Sequence, residues 1–113
     1  MSVCLFHCSS IKWAIEKDTV PDYADFSGTW TYSFGTMNIK QTKNQITGDS
    51  TFNQTRFDGT VKGYKLEGKY WELEGPKGSG TFQLEVSLDG KNFRGTWRQE
   101  KPSEASGTMT GNK

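Results

Sequence analysis

The sequence predicts an all-β fold: an eight-stranded antiparallel up-and-down barrel, built as a meander, with a short N-terminal helix before it. Three observations lead there. The first is a motif that recurs seven times around a glycine, as SGTW (27–30), TGDS (47–50), DGTV (58–61), EGKY (67–70), SGTF (79–82), RGTW (94–97) and SGTM (106–109), with threonine after the glycine in five. Phe26, Ile46, Phe57, Leu66 and Phe93 each stand two places before a glycine, so the motif reads large-x-Gly-x-large. A period of two is a strand with one apolar face, and glycine on that face leaves room for a neighbour's ring or lets the strand coil. The second is that every connection after residue 26 is short and rich in turn residues, with no segment long enough for a crossover helix, so the strands must run antiparallel. The third is that apolar and charged residues separate onto opposite faces. A sheet wetted on one side and buried on the other loses its exposed edges by closing on itself. A two-sheet β-sandwich satisfies the same alternation and is the alternative.

Taken in order, residues 1–25 form an arm distinct from the barrel domain at 26–113. Val3, Leu5, Phe6, Ile11, Trp13 and Ile15 suit a short amphipathic helix, with Ser9 or Ser10 as its cap and Lys17-Asp18 and Pro21-Asp22 ending it. Such a segment could plug one end of the barrel, cover a sheet edge or stand as a loose arm; plugging is preferred, because it buries Phe6 and Trp13. The eight strands are expected near 26–34, 36–41, 45–53, 56–62, 64–73, 80–88, 92–99 and 105–110. Between them lie Phe34-Gly35, Thr42–Asn44, Asn53–Thr55, Gly63, Gly75–Gly78, Asp89-Gly90 and Lys101–Glu104, of which Asp89-Gly90 is the strongest hairpin signal. The inward set is Phe26, Trp30, Tyr32, Phe34, Met37, Ile39, Ile46, Phe57, Val61, Leu66, Phe82, Leu84, Val86, Leu88, Phe93 and Trp97. The outward set is Lys40, Asp49, Asp58, Lys62, Lys65, Glu67, Lys69, Glu85, Arg94 and Arg98. Trp71 and Leu73 fall with the charged set, which marks either a bulge or an apolar patch for association, including self-association.

Bulk properties narrow the function classes. A chain of 113 residues is a single small domain. With 14 basic and 13 acidic residues its net charge is +1, so no global field draws it to nucleic acid or to an anionic membrane. Lys62, Lys65, Lys69, Arg94 and Arg98 are interleaved with Asp49, Asp58, Glu67 and Glu85, a pattern of cross-strand pairs rather than a nucleic-acid face. No run reaches the length of a membrane span, and the N-terminus lacks the basic start and apolar centre of a signal peptide. Cys4 and Cys8 are read as free thiols, which points to a reducing, cytoplasmic setting. Cys4, His7 and Cys8 offer three ligands where structural zinc wants four, so no metal or cofactor is expected. His7 is the sole histidine, which leaves no base for a nucleophilic pair. Glu72, Glu74 and Glu85 read as solvated strand carboxylates rather than a glycosidase pair. The glycine-rich run at 75–80 leads into no helix, so it lacks the amides of a phosphate loop.

Several strands resemble those of the avidin–streptavidin barrels, within the wider calycin group. Gly28-Thr29-Trp30 with Phe34-Gly35-Thr36 is similar to their opening strand and first turn, and Ile46-Thr47-Gly48 to the second hairpin. Leu66-Glu67-Gly68-Lys69-Tyr70 is similar to the fourth strand, Gly78-Ser79-Gly80-Thr81-Phe82 to the entry to the next, and Phe93-Arg94-Gly95-Thr96-Trp97 to a later one. The resemblance covers about residues 26–110 and implies an eight-stranded barrel with a small-molecule pocket. Tyr32, Thr36 and Ser50 stand where that family contacts biotin through an asparagine, a serine and a tyrosine. Only Thr36 keeps a comparable hydroxyl, so the resemblance does not imply biotin.

The function read from these residues is non-enzymatic binding of a small apolar or aromatic molecule inside the barrel, with no catalytic residue. The expected ligand-binding residues are Trp30, Tyr32, Thr36, Ser50, Tyr64, Tyr70 and Trp97, with Glu72 at a nearby inward position. An aromatic inner face punctuated by glycines that open space, with a few convergent polar groups, is the composition of a pocket. The alternatives are an assembly module with a solid interior that works through Trp71 and Leu73, the barrel rim or the N-terminal arm, and an enzyme that shapes a hydrophobic substrate.

Overall fold

The computed structural model of the chain describes residues 11–15 and 20–113. Eight strands follow one another: β1 (Gly28–Tyr32), β2 (Gly35–Thr42), β3 (Gln45–Ser50), β4 (Thr55–Lys62), β5 (Lys65–Glu72), β6 (Ser79–Val86), β7 (Asn92–Lys101) and β8 (Ala105–Asn112). Each pairs antiparallel with the next, and β8 returns to β1, so the sheet is a closed barrel in meander order. The sandwich alternative is thereby excluded. The strand count matches expectation, and the ends shift by at most three residues.

The rungs of the ladder put the large side chains where the period-two pattern predicts. Trp30, Met37, Ile39, Ile46, Phe57, Val61, Leu66, Phe82, Leu84, Val86 and Phe93 are all buried, together with Phe26 and Met109. Phe34 and Leu88 depart from the inward set, each 39 % exposed, because both lie past a strand end, where the barrel wall no longer covers them. The glycines opposite the large rings explain how so many aromatics fit in eight strands. Gly48 is the cross-strand partner of Phe57, Gly68 of Phe82, Gly107 of Trp97 and Gly111 of Phe93. In each pair the ring lies over the glycine, where a Cβ would collide with it. The space left by glycine is therefore occupied by the protein's own rings.

Outward positions carry the charges, and Glu85 pairs with Arg94 across β6 and β7 at 3.1 Å. Trp71 and Leu73 are exposed on the outside. The β4–β5 register runs without a shift past Trp71, so no bulge explains it; the irregular step falls between Ser79 and Gly80 in their pairing to β7. The Asp89-Gly90 hairpin forms, but the last bond between its two arms is Ser87 N–H to Asn92 C=O, which leaves a four-residue loop turned by Gly90 N–H on Ser87 C=O. Asp89 accepts from the Ser87 hydroxyl at 2.6 Å and from Lys91 N–H at 3.0 Å. These bonds hold its carboxyl below the usual aspartate range, the serine bond being the larger cause.

The two ends of the barrel differ. At one end lie the β2–β3, β4–β5 and β6–β7 turns, and the segment 20–27 crosses it. Ala24 N–H donates to Gly63 C=O at 2.7 Å, and Gly63 N–H donates to Asp22 C=O at 3.0 Å. Gln41 accepts from Phe26 N–H at 2.7 Å and donates to Ala24 C=O at 2.9 Å. Phe26 is fully buried beneath this strap. The helix expected across residues 3–15 falls mostly outside the described residues. Within it, Ile11–Ile15 is not helical: Lys12 C=O accepts from Leu88 N–H at 2.8 Å, and Trp13 lies under the Arg94 guanidinium, tying this stretch to the β6–β7 hairpin. Cys4, His7 and Cys8 lie outside the described residues. The seam between β1 and β8 is the shortest pairing, with two register pairs, Thr31 with Asn112 and Tyr32 with Gly111. Ser33 extends it by donating its N–H to Thr110 C=O at 3.0 Å and accepting from Thr110 N–H through its hydroxyl at 3.0 Å.

Candidate functional site

The opposite end, bounded by the β1–β2, β3–β4, β5–β6 and β7–β8 connections, opens into a cavity of about 240 Å³. Its walls follow from the register. Met37, Ser50, Thr55 and Glu72 are successive cross-strand partners on β2 to β5 and form an inward row near the mouth. One row deeper come Phe57 and Tyr70, then Phe82 and Trp97. The mouth is completed by Phe34 in the β1–β2 turn, Phe52 in the 3₁₀ turn Phe52–Gln54, and Pro76.

Rings connect the floor of the barrel to this mouth. Trp30 packs edge-on to Phe93 at 5.2 Å, Phe93 lies 6.5 Å from Tyr32, and Tyr32 lies 5.8 Å from Phe34. Phe34 in turn meets Phe52 at 5.3 Å and Trp97 at 6.1 Å. Edge-to-face contacts of this kind add to the area they bury. Phe34 and Phe52 are the outermost members, and both are exposed.

Polar groups enter at few points. The Tyr32 and Ser50 hydroxyls share a hydrogen bond of 2.5 Å, and Ser50 Oγ also accepts from Phe52 N–H at 3.2 Å. The Thr55 hydroxyl donates to Phe52 C=O at 2.5 Å, so the 3₁₀ turn is pinned to the wall from both sides. Glu72 Oε1 accepts from Gly78 N–H at 2.9 Å, which anchors the β5–β6 connection. Burial pushes the Tyr32 hydroxyl above the usual tyrosine range; the Ser50 bond offsets part of that, and the Glu72 charge adds to it. Burial raises Tyr70 as well, followed by the charges of Glu72 and Glu100.

The structure brings together four of the seven residues expected at a ligand site: Tyr32, Ser50, Tyr70 and Trp97 all line the cavity. The other three do not line it. Trp30 is fully buried in the floor, with its indole N–H donating to Phe26 C=O at 2.8 Å. Thr36 sits on the other face of β2 from Met37 and holds the 3₁₀ turn through its backbone, N–H to Thr51 Oγ1 at 3.1 Å and C=O from Thr51 N–H at 2.9 Å. Tyr64 belongs to the β4–β5 turn at the strapped end. Glu72 lines the cavity, as strand alternation from Tyr70 implies. Sequence reasoning missed Phe52, which lies in a loop where no period operates, and Met109, whose place two residues after Gly107 carried the signal.

Fold and site together define a closed eight-stranded antiparallel barrel with a ring-lined cavity at one end, an architecture consistent with a calycin-like fold. Comparison with protein-family models, with curated proteins and with solved structures found no match to this chain. Among the described residues no cluster of three histidine, cysteine, aspartate or glutamate side chains is placed to hold a metal ion.

Proposed function

We propose that this barrel binds a small, largely apolar or aromatic molecule at its open end without transforming it. The observation that carries the reading is the cavity of about 240 Å³ with walls made mainly of Phe, Tyr, Trp, Leu and Met side chains. An apolar cavity of about 150 Å³ takes up benzene, and drug-sized ligands fill roughly 300–1,000 Å³. The volume here suits a molecule between those limits, such as a fused bicyclic ring. The resemblance to the avidin–streptavidin barrels supports a pocket at one end and nothing narrower, so biotin is not the ligand proposed.

Titration with the uncharged dye N-phenyl-1-naphthylamine tests the reading. Dye emission should rise saturably while Trp97 emission falls. Tyr70→Ala and Phe34→Ala should weaken binding about tenfold, and Tyr64→Phe, at the strapped end, should leave it unchanged. A linear, unsaturable response in the native protein would defeat the proposal. A second reading, self-association through the outer face, draws on the exposure of Trp71 and Leu73. Under it, sedimentation velocity shows a concentration-dependent dimer that Trp71→Ala removes.

A further inference from the structure

The charge inside the cavity narrows the class of ligand, an inference that rests on the binding function proposed above. Among the described lining residues Glu72 carries the sole formal charge; no lysine, arginine or histidine faces the space. No ion pair among the described residues engages Glu72. Among the described residues its carboxylate takes one hydrogen bond, from Gly78 N–H to Oε1, which leaves acceptor capacity on it. Glu72 shares a strand face with Tyr70, one alternation away. Its field reaches Tyr32 as well as Tyr70, since the charge contributes to the upward shift of both hydroxyls.

We infer that the ligand is an aromatic or alicyclic molecule bearing a protonated amine, whose ring enters among the side chains of the cavity and whose ammonium group meets Glu72 beside Tyr70. A cation in that position gains twice. A half-buried carboxylate with no ion-pair partner among the described residues binds it directly, and the electron-rich face of tyrosine attracts it. The Tyr32–Ser50 hydroxyl pair supplies further oxygen acceptors at the same level of the barrel. An anion is disfavoured. The buried Trp97 indole N–H, which has no partner among the described residues, offers it one donor. It would nonetheless meet Glu72 as a like charge, in a space where no basic side chain among the described lining residues offsets the loss of water.

Three naphthalenes that differ in one substituent test this by calorimetry: 2-naphthylmethylammonium, 2-naphthalenemethanol and 2-naphthoate. The ammonium should bind about tenfold more tightly than the alcohol, and the naphthoate about tenfold more weakly. Glu72→Gln, which retains an oxygen acceptor for Gly78 N–H, should bring the ammonium and alcohol affinities to within about twofold without changing the latter. Glu72→Asp, which keeps the charge, should restore the preference and guards against a glutamine variant that fails to fold. Equal binding of ammonium and alcohol to the native protein, or an ammonium preference that survives Glu72→Gln, would overturn this inference and leave the binding function standing. Failure of all three compounds to bind would overturn both.

Discussion

The two ends of this barrel are made from the same residue types and put them to opposite use. At the strapped end, Phe26 is driven fully under the segment 20–27, and Gln41 meets the strap's backbone with both its carbonyl and its amide. At the open end, Phe34 and Phe52 meet at a tilt of 41° yet stay about two-fifths exposed, at 39 % and 40 %. The turn that carries Phe52 has Asn53 and Gln54 at φ 51 and 50, a left-handed backbone that side chains adopt only at a cost. One end invests its apolar surface in stability. The other leaves it uncovered, which is the condition for a guest.

Four substitutions sharpen or break that contrast. Phe26→Ala should be the most damaging, costing about 3–5 kcal/mol in urea unfolding as its fully buried ring leaves a cavity. Gln41→Ala should cost about 1–3 kcal/mol, because it strips partners from Phe26 N–H and Ala24 C=O in a part-buried place. Tyr32→Phe should cost about 1 kcal/mol at neutral pH through the lost bond to Ser50. It should also flatten the alkaline limb of the stability curve. Tyr32 and Tyr70 titrate higher folded than unfolded, so above about pH 10 the unfolded chain has released protons that the folded one still holds, and stability falls as pH rises through the folded values. Phe52→Ala should move stability by no more than about 0.5 kcal/mol while weakening dye binding. A Phe52→Ala loss as large as that of Phe26→Ala would erase the distinction between the ends.

How much of this was legible beforehand follows from what alternation can report. Wherever a strand persists, a period of two assigns each side chain to a face, and so the inward run from Trp30 through Phe93 and the charged outer face were readable, as was the inward Glu72. Alternation says nothing about depth along the barrel axis. Trp30 and Trp97 look equivalent in the sequence, yet one is fully buried with its indole N–H on Phe26 C=O and the other lines the cavity, a difference that alternation does not report. Thr36 and Tyr64 fail for related reasons: Thr36 lies one residue out of phase with Met37, and Tyr64 sits in a turn at the far end. The glycines, expected to open space for a ligand, mark crowding instead. Phe57, Phe82, Phe93 and Trp97 fill the room that Gly48, Gly68, Gly111 and Gly107 leave, and the cavity arises instead where the ring rows end at the mouth.

The short seam between the first and last strands has a consequence for how the molecule comes apart. Every other strand-to-strand pairing of the barrel joins strands consecutive in the chain, whereas the Ser33–Thr110 contact spans 77 positions. Its closure carries the largest entropic cost in the sheet and rests on the fewest rungs. Under heat or mild denaturant the cylinder should split lengthwise along this line into a curled sheet of intact hairpins, and the amide hydrogens of Ser33 and Thr110 should trade with solvent ahead of those in the middle of β4 and β5.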